Sequence, residues 1–263
     1  MSDNTITLEI DGQGIATLSI NRPEIHNAFD DALIHELTQT LVRIDQDPEI
    51  RVVILKSAGK SFSAGADLRW MRRMAGYTPA ENKADSLKLA ELMSTLNTLS
   101  KPTIARVQGA AFGGGVGLVA CCDIAIASDK ALFCLSEVRL GLIPAVISPY
   151  VVAAIGERAA RRYFLTAERF SAHEAEHLNL VHEVVEQDSL DATIDTLCQR
   201  LLDAGPAAIS AAKDLIFSVS RQPTHAAIID DTAQRITDTR ASDEGQEGLN
   251  AFLEKRAPNW IRS

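Results

Sequence analysis

The sequence predicts an α/β body over residues 1–187 followed by an all-helical region over 188–263. Two observations carry this. Short β-branched runs alternate with apolar residues at helical spacing as far as Asp188. After Asp188 four helical patterns follow one another with no strand between them. A third observation concerns where chemistry sits: two stretches rich in small residues each follow a strand and precede a helix.

Residues 5–10 and 15–20 are short and rich in β-branched side chains. Asp11-Gly12 between them is a turn signal, so they form a hairpin. Asn21-Arg22-Pro23 ends it. From Ala28 to Ile44 the apolar positions Ala28, Leu33, Leu37, Leu41 and Ile44 predict a helix, stopped by Asp47-Pro48. Residues 51–56, RVVILK, read as a buried strand, and a Gly/Ser-rich loop follows over 57–65. A helical stretch begins after Asp67, and a longer helix spans 80–99 until Lys101-Pro102 breaks it. Residues 103–107 form a strand and 109–115 a glycine-rich loop. A helix over 118–122 and strands over 124–127 and 132–135 complete the body. The tail helices span 188–203, 206–220, 224–239 and 242–254, with Gly205-Pro206 and Gln222-Pro223 as breaks. Such a tail serves subunit assembly or caps its own core, and both readings stand.

Apolar residues make up 46% of the 263, enough for a sizeable core. A net charge of −9 argues against nucleic acid as the main ligand, because phosphate affinity needs clustered Lys and Arg. It leaves anionic small molecules open, since local fields can oppose net charge. The opening MSDNTITLEI lacks a basic region followed by an apolar run, so no secretory leader is expected. The longest apolar run, around 116–127, is interrupted by Asp123, so no membrane span is expected. Cys121, Cys122, Cys134 and Cys198 have the spacing of neither a zinc site nor a disulfide framework. They read as reduced thiols in a reducing, cytoplasmic compartment.

The first small-residue loop is Ser61-Phe62-Ser63-Ala64-Gly65-Ala66-Asp67-Leu68; the second runs from Gly109 to Gly117. Small residues let a ligand approach the backbone closely. A helix N-terminus adds free amide donors, so two such turns can aim two amides at one oxygen. Neither loop is a P-loop, and residues 113–117 lack the dinucleotide fingerprint spacing. His173-Glu174-Ala175-Glu176-His177 matches the zinc-peptidase pattern H-E-x-x-H. Ser171 as N-cap with Glu174 in a capping box explains it better, and no third ligand is evident.

The ordered set Asn21-Arg22-Pro23, Asn27-Ala28, the 62–68 loop, Lys101-Pro102, Gly113-Gly114-Gly115, Cys122-Asp123-Ile124, and Glu137 with Leu140-Gly141-Leu142-Ile143-Pro144 resembles the crotonase family, the enoyl-CoA hydratase/isomerase superfamily. The resemblance continues through Ser171-Ala172, Glu174-Ala175 and Asn179-Leu180-Val181 to Phe252-Leu253-Glu254-Lys255-Arg256. It implies a β-β-α spiral core, a helical C-terminal oligomerisation region, and homotrimers or dimers of trimers. It implies an acyl-CoA thioester substrate, with coenzyme A as part of the substrate and no separate cofactor or metal. The family's oxyanion-hole amides carry over to Ala66 and Gly114. Its adenine and pantetheine contacts carry over to Asn27, Ala28, Ala64, Gly65, Asp67 and Leu68. Arg69, and Lys255 from a neighbouring subunit, stand where relatives place cations near the CoA phosphates.

The family's two acid/base positions fall on Gly117 and Glu137, so only one carboxylate is present. Hydration needs a base for water and an acid for carbon, which is easier with two carboxyls. An isomerase that shuttles one proton along an enolate needs only one. The Ala145-Val146-Ile147-Ser148-Pro149-Tyr150 segment after Ile-Pro resembles the bacterial 3-methylglutaconyl-CoA hydratase branch, of leucine catabolism. That favours a hydro-lyase acting on an α,β-unsaturated acyl-CoA. The alternatives are a Δ3,Δ2-enoyl-CoA isomerase with Glu137 as sole base, and a non-catalytic acyl-CoA or RNA-binding relative.

Overall fold

The computed structural model describes residues 4–220 and 222–261, so the first three residues of the segment read for a leader lie outside it. In chain order the elements are β1 (Ile6–Ile10), β2 (Ile15–Ile20), α1 (Asp31–Gln46), β3 (Val52–Ser57), β4 (Ser61–Ser63), α2 (Leu68–Met74) and α3 (Pro79–Asn97). They continue with β5 (Thr103–Val107), β6 (Ala110–Phe112), α4 (Gly114–Cys121), β7 (Ile124–Ser128), β8 (Leu132–Cys134), α5 (Ser148–Thr166), β9 (Phe170–Ser171) and α6 (Ala172–His177). The chain ends with β10 (Glu183–Val185), α7 (Leu190–Leu202), α8 (Pro206–Val219), α9 (Ala226–Ala241) and α10 (Asp243–Glu254).

The β1–β2 hairpin is antiparallel, and Asp11 Oδ1 holds its turn by accepting from the Gln13 and Ile15 N–H groups. β2, β3, β5, β7 and β10 then pair in parallel, giving a sheet of order β1-β2-β3-β5-β7-β10. Side chains alternate across each strand. Val53 and Leu55 of β3 therefore enter one core with Leu37 and Leu41 of α1 and Leu92 and Leu96 of α3. Val52 and Ile54 face the other way, against Leu190, Ile194 and Cys198 of α7. Burial on both faces is why RVVILK is an unbroken apolar run. The second sheet, β4-β6-β8-β9, is smaller; β4, β6 and β8 are parallel and β9 is antiparallel.

Several elements differ from the sequence expectation. α1 starts at Asp31 rather than Ala28, because His26 (φ 54°) and Asn27 (φ 55°) form a left-handed turn. Asp30 caps the helix, its side chain accepting from Leu33 N–H at 2.8 Å. The stretches read as loops over 57–65 and 109–115 contain β4 and β6. α5, β9 and β10 have no counterpart in the sequence reading, and Gly156 (φ 74°) interrupts α5. The tail helices fall within two residues of expectation at most ends. α8 is tied to the body by Lys213 Nζ, 2.8 Å from Asp123 Oδ2, an oxygen that also accepts from Thr103. Among the described residues no helix is long and apolar enough to cross a membrane.

Candidate active site

The parallel strands β4, β6 and β8 lie side by side, so their C-terminal ends do too. β4 runs into residues 64–67, β6 into Gly113-Gly114, and β8 into Ser136-Glu137. Three segments far apart in sequence thereby reach one edge of the small sheet, the usual place for a site in parallel α/β layers.

Ala66 forms an isolated parallel bridge with Phe29. The bonds of that bridge go to its neighbours: Phe29 N–H donates to Gly65 O and Asp67 N–H to Phe29 O, both at 2.7 Å. The Ala66 N–H therefore points away from Phe29, and it has no partner among the described residues. Gly114 is the first residue of α4, beyond the reach of the helix ladder. Its N–H also lacks a partner there, while Gly113 N–H donates to Cys134 O at 2.9 Å. Gly65 (φ 87°) and Gly113 (φ 51°) hold backbone conformations that side chains disfavour. A Cβ on Gly113 would lie 3.1 Å from Glu137 Oε1 and 4.0 Å from the Gly65 Cα. Both turns and the Glu137 carboxyl thus converge on one spot.

Glu137 opens a 3-10 turn directly after β8. Its Oε2 is buried with no hydrogen-bond partner among the described residues. Burial pushes its pKa up from the usual carboxylate range, against a smaller opposing hydrogen bond from its own backbone. A carboxyl in this state keeps its proton to higher pH than an exposed one, which suits a group that must both take up and give a proton.

Gly117, carried over as the second acid/base position, brings no chemical group and has no room for one. A Cβ there would lie 2.3 Å from Ile147 Cγ2 and 3.2 Å from Met93 Sδ. The space beside Gly117, where the resemblance puts the second acid/base position, is filled by Ile147 and Met93.

The expected CoA contacts divide into two groups. Asn27 is fully buried and its amide is consumed: Oδ1 accepts from Arg22 N–H, and Nδ2 donates to Ala58 O at 2.7 Å and Ser61 O at 2.8 Å. Its side chain is a strut beneath the loop, so any contact of Asn27 with a ligand would fall to its backbone. Asp67 is likewise committed, capping α2 by accepting from Arg69 and Trp70 N–H. Ala28 is buried, with its carbonyl accepting from the Arg22 guanidinium. Ala64, Leu68 and Arg69 are exposed beside the site loop. Lys255 lies exposed at the end of α10, and no recorded contact joins it to these loops within the chain. In the H-E-x-x-H stretch, Ser171 does cap α6, but Glu174 accepts from Tyr163 Oη at 2.8 Å instead of completing the box. His173 is exposed beside Glu176. Among the described residues no group of His, Cys, Asp and Glu side chains is disposed to hold a metal. The residue that sequence reasoning missed is Phe29, which touches both site turns; a large aromatic directly after Asn27-Ala28 was its only signal.

A model of the enoyl-CoA hydratase/isomerase family matches residues 11–263. The chain belongs to that family. A crystal structure of an enoyl-CoA hydratase from Shewanella pealeana superposes with a TM-score of 0.95 at 48% identity, covering 98% of this chain and 97% of that one. The crotonyl-CoA hydratase of Syntrophomonas wolfei is 31% identical over 99% of each chain. The hydroxycinnamoyl-CoA hydratase-lyase of Pseudomonas fluorescens is 32% identical over 96% of this chain and 93% of its own. The α/β body and C-terminal helices are those of a crotonase-type fold, and the protein is an enzyme of the enoyl-CoA hydratase family.

Proposed function

We propose that this enzyme adds water across the double bond of an α,β-unsaturated acyl-CoA, with Glu137 as its only catalytic carboxylate. The observation that carries this is the Glu137 carboxyl: its Oε1 lies beside the Gly113-Gly114 turn, and its buried Oε2 has no hydrogen-bond partner among the described residues. In this reading the thioester carbonyl accepts from the Ala66 and Gly114 N–H groups. Charge grows on that oxygen as the enolate forms, and two fixed amides favour it. Water bonds to Cβ while Glu137 takes its proton; Glu137 then protonates Cα. Relatives named as hydratases support addition of water. Coenzyme A enters as part of the substrate, and no other cofactor is invoked. Exposed Ala64, Leu68 and Arg69 are placed to meet it. Lys255 would come from a neighbouring subunit of a cytoplasmic homotrimer or dimer of trimers. The acyl group we assign is 3-methylglutaconyl, on the strength of residues 145–150 alone.

A second reading is a Δ3,Δ2-enoyl-CoA isomerase with Glu137 as sole base. The apolar filling around Gly117 favours it, since that position offers no carboxylate to help hold water. A panel of enoyl-CoA thioesters separates the two. Hydration removes the enoyl absorbance and adds the mass of water to the product. A product of unchanged mass with a moved double bond overturns the hydratase reading. Equal turnover of crotonyl-CoA and 3-methylglutaconyl-CoA removes the reason for the latter.

A further inference from the structure

We propose that Phe29 is a positioning residue that sets the separation of the two oxyanion-hole amides; this rests on the acyl-CoA reading above. Phe29 is 1% exposed and grips one amide segment through its backbone and the other through its ring. Its N–H and C=O hold Gly65 and Asp67 on either side of Ala66. Its ring edge lies against Gly114, where a Cβ would come within 2.7 Å of Cε2 and 2.9 Å of Cδ2. The turn leading into Phe29 is itself fixed. Arg22 bonds the Ala28 carbonyl at 3.2 Å and pairs with Asp30 at 2.8 Å, and Asn27 is locked as described. A methyl group on Gly114 would therefore press on a ring whose backbone holds the segment that aims Ala66. Gly114 has no positive φ, so its backbone would accept alanine. It is glycine because the ring occupies the space.

This predicts an unusual result: Gly114→Ala keeps the amide donor yet loses activity. Loss of a whole donor costs about 10²–10³-fold. A displaced donor should cost about 10–100-fold in kcat, a larger change than in KM, because the amides act most strongly on the charge that grows in the transition state. Phe29→Leu keeps both backbone bonds, frees the N-terminus of α4, and should fall in the same range. The double variant Phe29→Leu/Gly114→Ala should recover activity over Gly114→Ala, since the smaller side chain admits the methyl. The direct readout is the infrared carbonyl stretch of bound butanoyl-CoA carrying ¹³C at the thioester carbon. Two aimed amides lower that frequency, and each single variant should return it part-way to the free value. Additive losses in the double variant, or an unmoved carbonyl band in either single variant, overturn the proposal. If Phe29→Leu does not fold, the carbonyl band of Gly114→Ala decides alone. A wild type that neither turns over an enoyl-CoA nor shifts the band overturns the functional reading and this inference together. A wild type that does both while Phe29→Leu matches it overturns the inference only.

Discussion

Glu137 holds a buried carboxyl at a cost in stability. An ionised carboxylate oxygen buried without a donor is costly, and burial accordingly raises its pKa in the fold. The folded state then binds the proton more tightly than the unfolded chain does. The favourable contribution is complete below the ordinary glutamate value of about 4.3 and is lost as pH rises through the raised value. Glu137→Gln keeps the shape and removes the charge. It should therefore raise the melting temperature at pH 7 while lowering turnover by about 10²–10⁴-fold. The rising limb of the wild-type kcat/KM profile should lie above the usual carboxylate range. A variant that is less stable than wild type at pH 7, or that keeps near-full turnover, removes Glu137 from this role. The neighbouring difficulty was invisible in the sequence. Gly117 there is simply a missing carboxylate; in space its site belongs to Ile147, thirty residues away in the chain, and to Met93.

At the scale of elements, legibility followed the strength of local patterning. β5 ends where the sequence places it, because Pro102 before it and Gln108-Gly109 after it leave no room for drift. The four tail helices are bracketed by Gly-Pro and Gln-Pro breaks or by the Ser242 cap, and they too were readable. β4 and β6 were not, since three-residue strands of Ser, Ala and Phe carry no period; their pairing with each other and with β8 defines them. α5 was hidden by Gly156 in its middle and Pro149 near its start. Both turns of the candidate site were legible as small-residue loops, but their convergence depends on the β4-β6-β8 order, which is non-local. One cap joins an element to the chemistry. Asp67 starts α2 and, through its own N–H to Phe29 O, fixes the residue after Ala66. Asp67→Ala should cost about 1 kcal/mol in a denaturant titration, the usual value of a lost cap. Asp67→Asn keeps an acceptor and should recover most of it. Equal losses in the two variants would show that the charge of Asp67, rather than its capping bonds, matters there.

At the scale of the molecule, α8–α10 leave an apolar surface that one chain does not cover. Ile216 is 61% exposed, Ile229 58%, Phe252 82% and Leu253 75%. The module is tied to the body at α8 and at its two ends. Lys213 meets Asp123, and the Arg51 guanidinium donates to the carbonyls of Leu202, Ala204 and Trp260. A helical module with large apolar side chains facing outward is built to be covered. A closed ring of identical subunits covers each such face with its neighbour and leaves none open. We therefore expect a sedimentation mass equal to three or six chains at micromolar concentration. Ile229→Asp with Phe252→Asp places two charges on that surface without touching the sheets. The double variant should sediment as a single chain with unchanged circular dichroism. If Lys255 reaches coenzyme A from the adjacent subunit, it should also lose affinity for acyl-CoA while Glu137 and both amides stay in place. A wild-type mass of one chain rules out the assembly. Dissociated subunits that bind acyl-CoA as tightly as the intact particle confine the whole site to a single chain.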